Sequence, residues 1–336
     1  MTQTVLGQGV REGFLAPDVV RQIVGDGLST LPVDGRRVLV IIPDGTRTMP
    51  MPLLFDIIDG ALGPRTNALD FLVALGTQSP MSDEELSRLV GRPVAKGMAG
   101  PRHIYNHAWD DAASFAALGT IPAAEIEALS GGLLTQDVPV ALNRLAVEYD
   151  HVIICGPVFP HEVAGFSGGT KYLFPGIAAP EIIHFTHWLG ALVTSYEIIG
   201  TLDTPVRAVI NRAAALLPTP LSLIALVVSH DGVSGAYVGD VHAAWRQAAL
   251  LSSRRHIMWV DRPFDRMLSI MPSMYDDLWT AAKGAYKAEP AIADGGEVVI
   301  FAPHVREVSY VHGRLIGEIG YHCRDYFLKQ WDRFGQ

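Results

Sequence analysis

HVIICGPVFPHEVAGFSGGTK (151–171) joins a five-residue apolar run to a long glycine-rich loop that carries His161 and Lys171. The run is too short for a helix and rich in Val and Ile, so it reads as a buried strand. Runs of the same kind recur at RVLVII (37–42), FLVAL (71–75), LIALVV (223–228), HIMWV (256–260), MLSIM (267–271) and EVVIFA (297–302). Helical patterns fall between them. SDEELSRLVG opens with Ser82 and places Glu85 three residues on, a capping box. PEIIHFTHWLGALV begins at Pro180, which suits a first helical turn. DVHAAWRQAALL carries apolar residues at helical spacing.

This alternation predicts an α/β fold with a mainly parallel, Rossmann-like sheet. The stretch after about residue 255 shows its own strand, strand, helix, strand order. The expected organisation is an N-terminal α/β cofactor-binding domain (1–255), a smaller C-terminal α/β domain (256–336) and an active-site cleft between them. Ligands of parallel sheets collect beyond the carboxyl ends of strands. That rule selects PDGTRTMP after 37–42, GTQSPMS after 71–75 and GPVFPHEVAGFSGGTK after 151–155 as loops able to face one cleft.

Composition narrows the partners. The 336 residues carry a formal charge of −9 and no basic run, which argues against a nucleic-acid surface. Two cysteines, Cys155 and Cys323, make neither a disulfide framework nor a cysteine-rich zinc site. The N-terminus lacks a cationic start followed by an apolar stretch, and no run reaches the roughly 18 apolar residues of a membrane span. The expectation is a soluble, cytoplasmic protein with small-molecule partners and no membrane partner; homo-oligomerisation stays open.

Gly165, Gly168 and Gly169 allow close backbone approach, and Ser167 adds a hydroxyl, so the loop can cradle a phosphate. It is not a P-loop, because Thr170 precedes Lys171 and Tyr172 follows it. On spacing alone a surface turn with a solvated lysine fits equally. Lys171 serves as a nucleophile only if deprotonated, and His161 has the acidity of a general acid/base. His184 and His187 stand at i and i+3 on the next helix, where structural roles are commoner than metal ligation. Asp44 and Arg47 in PDGTR suit an anionic substrate or cofactor, or a simple surface pair. Asp276, Asp277 and Lys283 in YDDLWTAAKGAYK are satisfied by capping and solvation.

Together, DGTR (44–47), LGTQSP (75–80), HEVAGFSGGTKYLFPGIA (161–178), His187, YVGD (237–240) and DDLWTAAKGAYKAE (276–289) resemble the nickel-pincer lactate racemase family. The specific part is the centre: a histidine, GFSGG, a lysine ten residues after that histidine, Pro175-Gly176, and a second histidine sixteen residues after the lysine. The resemblance implies that Lys171 attaches covalently to a pyridinium mononucleotide with two sulfur-bearing arms that hold nickel, and that His187 is the protein's nickel ligand. It implies that His161 is an acid/base, and that Arg47 and Lys283 face the substrate. Asp44, Thr46, Gly165, Phe166, Ser167, Gly168, Gly169 and Pro175 would surround the cofactor. The implied activity is isomerase chemistry, racemisation or epimerisation of a 2-hydroxy acid by proton-coupled hydride transfer.

The chain departs from the family at two substrate positions. Gln78 stands where family racemases carry a second catalytic histidine, and an amide does not titrate near neutral pH. Substitution by His103, His107 or His184, service of both faces by His161, and a reaction other than simple lactate racemisation stay open. Thr280 stands where the lactate enzyme carries a substrate-contacting glutamine. The lactate enzyme also continues beyond the position matching RDYFLKQWDRFGQ, so a reduced second domain and a more open cleft are expected. The expected substrate is therefore a bulkier hydroxy acid or sugar acid rather than lactate. The rivals are a cofactor-binding protein without racemase activity and a hydroxy-acid oxidoreductase.

Overall fold

The computed structural model describes residues 5–335. Its strands are β1 (Val5–Gly9), β2 (Arg37–Ile42), β3 (Ala68–Val73), β4 (Met98–Ala99), β5 (Arg102–Asn106), β6 (Phe115–Ile121), β7 (Val138–Asn143), β8 (His151–Pro157), β9 (Pro160–His161), β10 (Gly165–Phe166), β11 (Leu221–Ser229), β12 (Gly232–Gly239), β13 (Phe264–Ile270) and β14 (Ile292–Phe301). Eight of them form one sheet in the order β1-β12-β11-β8-β2-β3-β5-β4. Its centre, from β11 to β5, is parallel, while β1, β12 and β4 pair antiparallel at the ends. The fold is α/β with a large, mostly parallel central sheet.

Why these runs are strands shows in where their side chains go. In β2, Leu39 and Ile41 enter one core cluster while Val38, Val40 and Ile42 enter another. In β8, Val152 and Ile154 enter the first, and Ile153 and Cys155 the second. Alternate residues thus feed opposite faces, and a continuous apolar run buries completely only if both faces are covered. Helices Pro17–Ser29, Met51–Leu62 and Asp83–Val90 contribute to one core. Helices Pro180–Val193, Pro205–Ala214 and Val241–His256 contribute to the other. Two expected helix starts are present: Ser82 and Glu85 form the reciprocal capping box, and Pro180 opens its helix; Asp240 of YVGD, a cap not foreseen, accepts the N–H groups of His242 and Ala243.

Strand order positions the site. β2 lies between β8 and β3, so the chain leaving β2 crosses to one side for β3 while β8 flanks it on the other. Such a reversal opens a crevice at the carboxyl ends of the strands. The loops after β2, β3 and β8 all meet there.

Several expectations need correction. HIMWV (256–260) is not a strand: His256 ends a helix, and Met258 and Trp259 project into solvent at 90% and 89% exposure. An apolar run with no neighbouring edge to pair with has no ladder to join. The order after residue 255 is strand, two short helices, strand, followed by short helices. YDDLWTAAKGAYK divides into helices Leu278–Ala281 and Lys283–Ala288. β13 and β14 pair in parallel as a separate two-stranded sheet. Strand β12 and the antiparallel β6–β7 pair, joined through the helix Ala123–Ser130, were not foreseen, because GVSGAYVG and FAALGTI are too rich in small residues to stand out. Among the described residues no helix is long and apolar enough to cross a membrane.

Gly165 shows how tightly the loop after β8 is held. Its φ is +79°, and a Cβ there would collide with the Thr201 carbonyl oxygen. Gly165→Ala is expected to cost about 3 kcal/mol, left-handed strain and overpacking combined. Gly132→Ala, at φ +84° but with open space around it, should cost only about 1 kcal/mol. Urea unfolding of the two variants checks the difference.

Candidate active site

The crevice opens into a cleft of about 1320 Å³. Asp44, Arg47 and Gln78 reach it from the loops after β2 and β3; His161, Ser167, Gly168, Lys171 and Pro175 from the segment after β8. His187 enters from the helix Pro180–Val193 and Lys283 from the start of the helix Lys283–Ala288. The five segments run from Asp44 to Lys283 along the chain. Thr46, Gly165, Phe166 and Gly169 do not line the cleft and support its wall from behind.

The wall is tied together by Arg207 and Trp245. Arg207 is buried in the first turn of Pro205–Ala214, and its guanidinium donates to the carbonyls of Phe166 and, at 3.2 Å, of Gly168. It lies 4.4 Å from the Trp245 ring centroid, and Trp245 Nε1–H donates to the Ser167 carbonyl at 2.9 Å. Three successive carbonyls are thereby held by two side chains. Burial lowers the Arg207 pKa to about 9, which still leaves it charged at neutrality. The glycines answer to the same packing: a Cβ on Gly168 would come within 2.6 Å of Val158, and one on Gly169 within 2.9 Å of Trp245. Their smallness accommodates the protein's own atoms, not an open path to a ligand. Ser167 is likewise committed, accepting from the Phe159 N–H and donating to the Pro157 carbonyl, both at 3.0 Å.

Arg47 is aimed by a short relay. Asp44 accepts the Thr46 N–H at 2.8 Å and the Thr46 hydroxyl, and Arg47 Nη1 donates to Thr46 Oγ1 at 2.9 Å. This is an Asx-type turn at a strand end, with the guanidinium left facing the cleft. The Gly76 N–H donates to the Gly176 carbonyl at 2.9 Å, locking the loop after β3 to the one behind Lys171.

The ionisable groups are strongly perturbed. Burial, reinforced by the Arg47 charge, lowers the Lys171 ammonium to about 7. His161 is buried and held neutral, well below its ordinary value, by loss of solvation. His187 is open to the cleft but enclosed by protein, and this too lowers its pKa. Its Nδ1–H donates to the Ile183 carbonyl at 2.8 Å, which fixes the tautomer and leaves the Nε2 lone pair free. A metal-ligating imidazole is oriented in this way. Among the described residues no three His, Cys, Asp or Glu side chains converge as a metal site, so His187 is an oriented imidazole donor in the same cleft as a reactive amine.

Glu162, next to His161, was missed in the sequence. Its buried carboxylate sits 3.6 Å from Lys283 Nζ and 3.8 Å from His161 Nδ1. Burial raises its pKa, but the facing Lys283, with Lys287 adding to it, holds the group below the usual carboxylate range. Arg207 and Trp245 were missed too, since neither belongs to a motif. Of the suggested substitutes for a second histidine, none lines the cleft. His103 stacks on Tyr105, His107 is buried against Asn143, and His184 is exposed outside it. The further imidazole at the rim is His322. Gln78 keeps its place in the lining, while the Thr280 hydroxyl is spent on its cap residue Asp277.

A deep cleft at a strand-order reversal, with an activated amine and an oriented imidazole, defines an α/β protein with a small-molecule site. The lactate racemase N-terminal domain family matches residues 19–200, and the chain belongs to that family. The lactate racemase of Thermoanaerobacterium thermosaccharolyticum is 25% identical over 298 residues, covering 85% of this chain and 65% of its own length. That of Lactiplantibacillus plantarum is 26% identical over 306 residues, covering 83% and 63%. The chain therefore spans a little under two thirds of these relatives. A crystal structure of a Thermotoga maritima protein matches with a TM-score of 0.86 and 29% identity, over 97% of this chain and 81% of that one. The lactate racemase apoprotein of T. thermosaccharolyticum shares the fold, with a TM-score of 0.69 and 22% identity over 88% and 70%.

The lowered Lys171 pKa gives a direct test. Its amine is free above about pH 7, so acylation by a small amine reagent should follow the free-amine fraction and level off above that pH. At neutral pH Lys171 should react ahead of the surface residues Lys96 and Lys329. Peptide mass mapping across a pH series measures both.

Proposed function

We propose that the protein is a racemase or epimerase of a 2-hydroxy acid that works with a nickel-pincer nucleotide attached to Lys171. The observation that carries this reading is the meeting of Lys171, made nucleophilic by burial, with His187, whose Nε2 is presented as a lone metal donor in the same cleft. These residues fit the cofactor: a neutral amine can form an amide-type link to it, and one imidazole completes a coordination sphere whose other donors the nucleotide carries. When bound, the cofactor supplies hydride uptake and return at C2 of the substrate. The chain's own residues do the rest. Arg47, aimed by Thr46, and Lys283 clamp the substrate carboxylate. His161 exchanges the hydroxyl proton through its cleft-facing ring. The cleft walls hold the substrate in reacting geometry.

Two features support a substrate larger than lactate. The cleft is wide, and Tyr286 and Tyr321, whose hydroxyls pair with each other, stand on its lining, which suits a hydroxylated chain such as a sugar acid. Gln78 supplies hydrogen bonds but no base. The same Gln78 favours oxidation with release of the keto acid as the second reading, because one base suffices for it. A cofactor carrier without chemistry would need neither His161 nor Lys283, both of which the fold brings to the cleft. The location we propose is the cytoplasm, where a free thiol such as exposed Cys323 stays reduced.

Protein from a host that makes the pincer nucleotide should show a mass increase on Lys171 and near-stoichiometric nickel. Lys171→Ala should lose the adduct, and His187→Ala should keep the adduct but lose most of the nickel. Intact mass and metal analysis decide this, and an unchanged adduct in Lys171→Ala refutes the attachment. A panel of C2-deuterated 2-hydroxy acids separates the two chemistries. Inversion with label retained and no keto acid indicates racemisation; keto-acid accumulation indicates oxidation. Gln78→His should raise activity on lactate several-fold while leaving nickel content unchanged, and chiral chromatography measures the first.

A further inference from the structure

His161 has a constraint that its proposed role must overcome. Its Nδ1 accepts the backbone N–H of Val163 at 3.1 Å, so the neutral ring carries its proton on Nε2. In that tautomer Nε2 is a donor and cannot receive a proton. To serve as a base at Nε2 the ring must carry its proton on Nδ1, and then Nδ1–H needs an acceptor. Glu162 Oε2, 3.8 Å from Nδ1, is the carboxylate placed to become one. Its other oxygen, Oε1, is 3.6 Å from Lys283 Nζ, and among the described residues its own backbone N–H, not another residue, gives it a hydrogen bond.

Resting on the reading above, we propose that Glu162 is a positioning residue that sets the tautomer of His161, and that Lys283 controls its availability. While Lys283 has no other anion, it holds the carboxylate, and Val163 keeps His161 in the Nε2–H form. An incoming substrate carboxylate draws the Lys283 ammonium toward itself. Glu162 then turns to Nδ1–H, and Nε2 becomes an acceptor. One proton leaves Nε2 for cleft water and one joins Nδ1 from water, so no net charge or redox change accompanies the switch. A base that forms only when the anion clamp is occupied is protected from idle protonation. The arrangement also accounts for a buried, charged glutamate beside a histidine, which a purely structural role leaves unexplained.

Long-range 15N–1H correlation spectra of the 336-residue chain without cofactor read the tautomer of His161 directly. The wild type should show Nε2–H. Lys283→Met, which releases the carboxylate, should shift the population at least several-fold toward Nδ1–H, and Lys283→Met with Glu162→Gln should return it to Nε2–H. An unchanged tautomer in Lys283→Met, or the same spectrum in the single and double variants, overturns the proposal. Because the readout needs neither nickel nor turnover, it is separable from the racemase reading. That reading fails if no adduct forms on wild-type Lys171, whatever the tautomer of His161.

Discussion

The seat of Arg207 is the interaction on which the rest depends. A guanidinium taken out of water is costly unless its N–H groups find acceptors. Here it binds two loop carbonyls and stacks on Trp245, which binds the carbonyl between them. These contacts fix residues 166–168 from behind, and so set where His161 before them and Lys171 after them enter the cleft. The sheet contributes direction and Arg207 contributes position. Without it the glycine-rich loop would have the freedom its composition suggests.

That contrast marks what could be read from the chain alone. Strands β2, β3, β8 and β11 were legible because full burial on two faces demands unbroken apolar runs of a length no helix shares. The crevice followed from them, since a parallel sheet places its loops at one edge. The spacing from His161 through Lys171 to His187 was legible as a motif. The glycines were legible as necessary but not for the right reason: they yield to Thr201, Val158 and Trp245, contacts that depend on residues up to about eighty positions away. HIMWV misled because apolar content identifies a strand only where an edge is available, and here none is.

Glu162, Arg207 and Trp245 were hidden for a related reason. Each acts through a partner remote in sequence: Lys283 for Glu162, residues 166–168 for the other two. A charged residue beside a histidine has no distinctive pattern, and an arginine on an amphipathic helix reads as solvated. Burial made them functional candidates, and burial of a polar residue is what a single sequence conveys least.

The cleft uses one low-dielectric setting to hold unlike groups in opposite states. Burial strips the proton from Lys171 because Arg47 adds repulsion to the loss of solvation. The same burial would neutralise Glu162, yet Lys283, with Lys287 adding to it, keeps it charged. The cleft thus holds an amine that loses its proton near neutrality, a charged carboxylate and a neutral imidazole side by side. In the proposed racemase, Gln78 would break the symmetry of a two-base site and leave His161 as the imidazole base on the substrate side. A single base that serves both enantiomers must be able to present either a proton or a lone pair at one atom. On the proposed switch, competition between Val163 N–H and the Glu162 carboxylate for Nδ1 would provide for that, so Gln78 and Glu162 bear on one problem.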